Sequence, residues 1–204
     1  MGLSKVAIGR LLHISRLLDQ QEEPVISSSV LEKITGYTSD SIRKDISLLE
    51  GDFSSNAGYK KEALSLAIKE KLGLLRERIC CIVGLGRLGS AFIDYKGLEG
   101  SFFKIGAGFD SNVNRLEILQ ADFPLYPTFK MKEVIPRLNI EYAVLCVPPG
   151  EAQKAADKLA DCGIKGIVNY APVALHLPKG VQVENLYVSD ALNSLAARIE
   201  ILHD

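Results

Sequence analysis

Gly84-Leu85-Gly86-Arg87-Leu88-Gly89 carries glycine at its first, third and sixth places, directly after the apolar run Ile79-Cys80-Cys81-Ile82-Val83 and before a stretch with helical spacing. The chemistry this spacing permits is the cradling of a dinucleotide's phosphates. Gly84 permits a tight turn out of a strand, Gly86 lets the backbone approach a pyrophosphate, and Gly89 allows helix and strand to pack closely. N–H groups that open a helix lack intrahelical partners and can face the phosphates. Asp110 closes a second apolar run, Phe103 to Phe109, and falls where an acidic side chain accepts hydrogen bonds from an adenine ribose. A carboxylate there repels a 2′-phosphate, and Ser111 and Asn112 supply no cation, so NAD is favoured over NADP.

Other site chemistries find little support. Cys80, Cys81, Cys146 and Cys162 lie in apolar contexts without a Cys-x-x-Cys pair, and the histidines at 13, 176 and 203 are scattered, so buried free thiols and no metal site are expected. No His or Lys sits in an obvious catalytic setting, and Lys165 reads as a solvated loop residue. An NAD-dependent oxidoreductase is therefore disfavoured, and the chain reads as a binding protein and not an enzyme. A further rival is a module for another adenylate such as coenzyme A, because the same cradle accepts any pyrophosphate.

The whole chain sets the frame. Its 204 residues, 47% of them apolar, suffice for one large domain or two small ones. Formal charge is 24 minus 25, or −1, so any basic surface must be local. No apolar stretch reaches the ~18 residues of a membrane span, and the segment from Met1 to Asp19 lacks the apolar block of a signal peptide. A cytoplasmic protein with no membrane partner is expected.

Residues 1–76 show helical spacing, and the remainder alternates short apolar runs with amphipathic stretches, which puts a boundary near Leu75 to Arg78. In the first helix Ile8, Leu11, Leu12 and Leu18 form one stripe. Ser29 with Glu32 reads as a capping box for a short helix through Ile34, Gly36 supplies a left-handed stop, and Thr38 caps another helix. This is a helix-turn-helix pattern. On the later helix Ile42, Ile46 and Leu49 share a narrow arc, which leaves Asp40, Arg43, Lys44 and Ser47 on the opposite side, where two cations can meet phosphates or guanine edges. The turn-rich segment from Glu50 to Tyr59 suits a β-hairpin wing, and Leu64, Ile68 and Leu72 mark a further helix over Lys61 to Leu72.

Beyond Asp110 the pattern predicts a helix near Glu133 to Leu138, a strand at Tyr142 to Val147, a helix at Ala152 to Cys162 and a strand at Gly166 to Tyr170. Alternation of this kind implies a parallel, doubly wound sheet whose ligands gather at the carboxyl ends of the strands. Val147-Pro148-Pro149 and Asn169-Tyr170-Ala171-Pro172 fall at such ends.

Together these segments resemble the Rex family of redox-sensing transcriptional repressors over nearly the whole chain. The residues that carry the resemblance are Ile42-Arg43-Lys44-Asp45-Ile46-Ser47, Gly58-Tyr59, the Gly84 to Gly89 motif, Phe109-Asp110, Val147-Pro148 with Ala152-Gln153, Gly163 to Ile167, Asn169 to Pro172 and Val183-Glu184-Asn185. The resemblance implies an α/β architecture in three parts. They are an N-terminal winged helix over 1–76, a C-terminal Rossmann domain over 77–188, and a dimerisation helix over 189–204 that swaps between subunits. It implies a homodimer that binds a pseudo-palindromic double-stranded operator, is released by NADH, and so senses the ratio of NADH to NAD⁺. Cofactor contacts are implied for Gly84, Leu85, Gly86, Arg87, Leu88, Gly89, Tyr95, Asp110, Val147, Pro148, Asn169, Tyr170, Ala171 and Pro172. DNA contacts are implied for Thr38, Ser41, Arg43, Lys44, Ser47, Gly58 and Tyr59. Arg16 matches a family arginine that couples the domains, and Leu192, Leu195, Ile199 and Leu202 make a stripe suited to docking the last helix, about Asp190 to Leu202.

Departures from the family pattern are local. Ser54-Ser55-Asn56 stands where the family's wing is usually basic and glycine-rich, and Asp40 and Ser41 stand where a neutral residue and Gln are common. Tyr187 and Val188 hold the places of an Asp and an aromatic, the Asp being the family's partner for the arginine matched by Arg16. Asp190, about one helical turn on, is the nearest substitute.

Overall fold

The structure, a computed structural model, describes residues 3–203, with side chains as far as Ile201. Met1, Gly2 and Asp204, together with the side chains of Leu202 and His203, lie outside the described residues. The chain divides into two compact units, Met1–Arg76 and Glu77–Asp204.

In the first unit the order is α1 (Lys5–Leu18), β1 (Val25–Ile26), α2 (Ser28–Thr35), α3 (Ser39–Ile46), β2 (Ser54–Ser55), β3 (Gly58–Lys60) and α4 (Lys61–Lys71). The three strands pair antiparallel in the order β1-β3-β2. Helices on a small antiparallel sheet in this order make a winged helix, whose core joins Leu11, Ile14 and Leu18 to Leu31, Ile42, Ile46, Leu64 and Ile68. Two local expectations are corrected. The buried stripe of α1 is Ala7, Leu11, Ile14 and Leu18, whereas Leu12 is exposed and Ile8 only half-buried. Apolar residues sit on adjacent arcs of this helix, and the packing partners choose between them. The N-cap of α2 is Ser27, whose hydroxyl accepts from the Val30 N–H, and not Ser29. Burial of Ile26 in β1 fixes where the chain leaves the strand, so the first of three consecutive serines takes the cap, and Glu32 instead accepts from the N–H and hydroxyl of Ser39. Gly36, left-handed at φ 73°, ends α2, and Thr38 caps α3.

The second unit contains β4 (Arg78–Val83), α5 (Arg87–Ser90), β5 (Phe103–Asp110), α6 (Val113–Ile118), β6 (Leu125–Pro127), α7 (Met131–Arg137), β7 (Ile140–Leu145), α8 (Pro149–Asp161), β8 (Gly166–Asn169), β9 (Gln182–Asn185) and α9 (Val188–His203). All six strands are parallel, in the order β6-β5-β4-β7-β8-β9. The chain winds outward from β4 to β6 and then crosses to β7 on the other side, so the carboxyl end of β4 is the topological switch point where such sheets take ligands. Cys81, Val83, Phe109 and Leu145 of the inner strands pack under Val134, Ile135 and Leu159.

Boundaries shift where proline chemistry intervenes. The predicted strand at Tyr142 to Val147 runs from Ile140 to Leu145, and α8 starts at Pro149 instead of Ala152, since proline in the first turn lacks only an N–H that has no helical partner. The helix expected after Gly89 opens earlier, at Arg87 inside the glycine motif, runs only four residues, and then tightens into i→i−3 bonds, Ala91 to Leu88 and Phe92 to Gly89, both 3.2 Å. Burial pushes the Cys80 thiol up to about 11 and that of Cys146 to about 12, so both stay protonated and unreactive near neutrality. Among the described residues no helix is long and apolar enough to cross a membrane.

Candidate functional site

The glycine turn is shaped by contacts that a side chain would break. Gly84 is left-handed at φ 87°, and a Cβ there would stand 2.7 Å from the Cys146 carbonyl oxygen. At Gly89 a Cβ would stand 1.7 Å from the Gly84 carbonyl oxygen, so the first and last glycines clamp strand, turn and helix together. Gly86 differs: a Cβ would meet nothing within 4 Å, because the bare backbone faces open space. That space is a cleft of about 690 Å³. Gly84, Gly86, Arg87 and Leu88 line one side; Asp110, Ser111 and Arg115 line another; Val147, Pro148 and the α8 residues Glu151, Lys154 and Lys158 form the facing wall. A backbone bare of side chains over an open cleft at a sheet's switch point fits a dinucleotide's pyrophosphate.

Asp110 ends β5 with a side chain only 3% exposed. It accepts from the Leu85 and Asn112 N–H groups, each at 2.7 Å, and from the Arg115 guanidinium at 2.8 Å. Burial works against the charge, yet the Asn112 N–H, Arg115 and the Leu85 N–H prevail and hold the carboxyl below its usual range. Ser111 and Asn112 supply no cation, but Arg115, not weighed from the sequence, does. It comes from the first turn of α6, five residues on, and an Arg near the ribose acid at the head of the next helix is the signal that would have found it. Leu85 serves through its N–H, while its side chain is buried and packs near Gly108.

A second group of predicted residues stands beside this cleft and does not line it. Phe92 lies between Tyr95 and Tyr170, with ring centroids at 5.3 and 5.6 Å. Asn169 is fully buried, its Oδ1 accepting from the Ala171 N–H at 3.0 Å, and Pro172 is exposed on the same loop.

In the first unit the outer face of α3 carries Arg43, Lys44 and Ser47, all exposed, with Ser41 half-buried. Arg43 pairs with Asp40 and donates to the Ser28 hydroxyl at 3.1 Å. The inner face is fixed by Asp45, buried, which receives two hydrogen bonds from Arg10 of α1 at 2.6 and 2.9 Å. Arg10 and Asp45 escaped the sequence reading as a pair, since 35 positions separate them. In the wing a Cβ on Gly58 would stand 2.5 Å from the Ile26 carbonyl oxygen, so glycine is required there by β1, and Tyr59 packs on Phe53. Arg16 on α1 and Asp190 on α9 are both exposed.

The redox-sensing transcriptional repressor Rex of Clostridioides difficile is 36% identical over 184 residues, which cover 90% of this chain and 87% of that protein. That of Thermus thermophilus is 36% identical over 202 residues, 98% of this chain and 95% of its own. The chain belongs to the Rex family. The fold agrees: the Rex-family repressor RSP, solved with NAD⁺ and operator DNA, superposes with a TM-score of 0.88 at 32% identity, covering 100% of this chain and 95% of RSP. RSP solved with NADH superposes at 0.87, with 30% identity and coverage of 100% and 97%. A family profile described as "CoA binding domain" also matches residues 76–173. Within the Rex pattern, Tyr187 is turned inward: its hydroxyl donates to the Val173 carbonyl at 2.9 Å, and Asp190 makes no comparable contact among the described residues.

Proposed function

We propose that this chain is a redox-sensing repressor that grips operator DNA as a homodimer and lets go when NADH binds. The observation that carries the reading is the pairing, in one Rex-family chain, of an outward Arg43–Lys44 face on a capped helix with a glycine cradle that ends on a buried carboxylate. The residues that hold the cofactor are then Gly84, Gly86, Arg87 and Leu88 at the phosphates and Asp110 at the adenine ribose. Val147 and Pro148 form the facing wall, and Tyr95 and Tyr170 stand toward the nicotinamide. Bound nicotinamide supplies a difference of one positive charge between its oxidised and reduced forms. The residues around Tyr95 and Tyr170 convert that difference into a preference between two arrangements of the dimer, which is all a ligand can do to a conformational equilibrium. A hundredfold change in operator occupancy requires about 2.7 kcal/mol of such coupling.

On the DNA side, Thr38, Ser41, Arg43, Lys44 and Ser47 approach the duplex from α3, with Gly58 and Tyr59 from the wing. Arg16 and Asp190 are assigned to coupling between the units, and α9 to exchange between subunits. No group in the cleft is assigned a catalytic role, and the setting is cytoplasmic. Operator binding measured by fluorescence anisotropy on the duplex bound by RSP, with NADH and with NAD⁺, is the test. Weaker binding with NADH is expected, and equal affinities would sink the redox role.

Coenzyme A is the second reading, favoured by the family profile over 76–173 and by Lys154 and Lys158, which line the cleft outside any ion pair among the described residues. Calorimetry with NADH and with coenzyme A separates the two.

A further inference from the structure

At the entrance to α9 the chain is tied to the end of β8 by the Leu186 N–H, which donates to the Asn169 carbonyl at 2.9 Å, and by the Tyr187 hydroxyl. Tyr187 stands at the helix entrance, where its carbonyl accepts from the Asp190 and Ala191 N–H groups at 3.1 and 3.3 Å. Its side chain reaches away from the helix, into the loop that follows β8. There the hydroxyl donates to the Val173 carbonyl at 2.9 Å and receives the Asn169 amide at 3.3 Å. Asn169 is fully buried and binds the Val173 carbonyl and the Asn185 Oδ1, both at 3.0 Å. Buried polar groups of this kind are costly to leave unpaired, so loop, strand end and helix entrance hold together as one network. The same loop carries Tyr170, whose ring contacts Phe92, which in turn contacts Tyr95.

A continuous set of contacts therefore runs from the aromatic group beside the cleft, through the loop after β8, to the first turn of α9. We propose that the Tyr187 hydroxyl is the positioning group through which cofactor occupancy beside Tyr95 and Tyr170 is transmitted to α9. The assignment rests on the redox-repressor reading above and adds an intrachain latch to it. A ligand that shifts Tyr170 displaces the loop that presents the Val173 carbonyl, and the hydroxyl either follows, tilting the helix entrance, or lets go. Coupling is read from the response to cofactor, separately from the stability of the fold.

Tyr187→Phe keeps the ring and removes both hydrogen bonds. NADH affinity is measured by calorimetry, and operator affinity is measured with saturating NADH and NAD⁺ on the RSP operator duplex. We expect Y187F to bind NADH within about twofold of wild type while the ratio of operator affinities falls by about tenfold or more, a change within the usual range of coupling. A purely structural hydroxyl would lower the melting temperature and leave that ratio intact, and a wild-type ratio in a folded Y187F would overturn the latch. If wild type itself shows no ratio, the repressor reading fails. The latch is then decided by amide hydrogen exchange: NADH should change protection at Val173 and Ala191 in wild type, and unchanged protection at both overturns it. The same exchange measurement on wild type decides the matter if Y187F does not fold.

Discussion

Gly86 and Gly89 belong to one motif, yet the physics of substitution separates them. At Gly89 a new Cβ would collide with the Gly84 carbonyl at 1.7 Å, so the turn must open. Gly89→Ala is expected to cost about 2–4 kcal/mol of stability, the range of severe overpacking and strain, read as a lower denaturant midpoint. Gly86→Val has room in the free protein, so its melting temperature should stay close to wild type while NADH binding is lost through clash with the pyrophosphate. A Gly86→Val protein that still bound NADH would remove the phosphate from this turn. Asp110 gives a pH signature. Its carboxyl is depressed in the folded chain, so the stability it contributes is present above the unfolded value, about 3.9, and is lost as pH falls through the lower folded value. Asp110→Asn should therefore be less stable than wild type at pH 7, with the gap closing on acidification below about pH 4. A gap that stays constant from pH 7 to pH 3 would contradict that.

At the scale of elements, α3 has two faces with separate energetics. Asp45 is buried and doubly bonded to Arg10, and hydrogen bonds to charged groups contribute about 1.5–3 kcal/mol. Asp45→Ala should destabilise the first unit by about that much and weaken operator binding only as a consequence. Arg43 is exposed, and its pair with Asp40 adds little. Arg43→Ala should thus leave unfolding unchanged within about 0.5 kcal/mol, preserve NADH affinity and abolish the gel shift. Loss of NADH binding in Arg43→Ala would break the division of labour between the units. The contrast also marks what the sequence made legible. Ile42, Ile46 and the Gly84 to Gly89 turn were readable because periodicity and glycine spacing are local signals. Arg10 with Asp45 was not, being a meeting of distant positions. Nor were β6 and β9, which are short, nor the face of α1, where Leu12 and Ile14 compete on pattern and only the packing partner decides.

For the whole molecule, the unanswered demand is made by α9. Leu192, Leu195 and Ile199 fall at i, i+3 and i+7 on one face and remain 60%, 48% and 46% exposed in the single chain. Each such side chain contributes about 1.5–3 kcal/mol when fully buried, so an uncovered stripe in each of two copies is a strong incentive for burial against a second copy. A two-fold dimer also matches the geometry of an operator with two half-sites. Leu195→Glu puts a charge in the centre of that stripe. In sedimentation the wild-type chain should run at about twice its 22.3 kDa and the variant at the monomer mass. Operator affinity should fall by about a hundredfold or more, because each monomer then meets one half-site without the gain of linked binding. If Leu195→Glu remained a dimer the stripe would not be the interface, and a monomer that held the operator at wild-type affinity would show that pairing of the winged helices is not what gives this chain its grip.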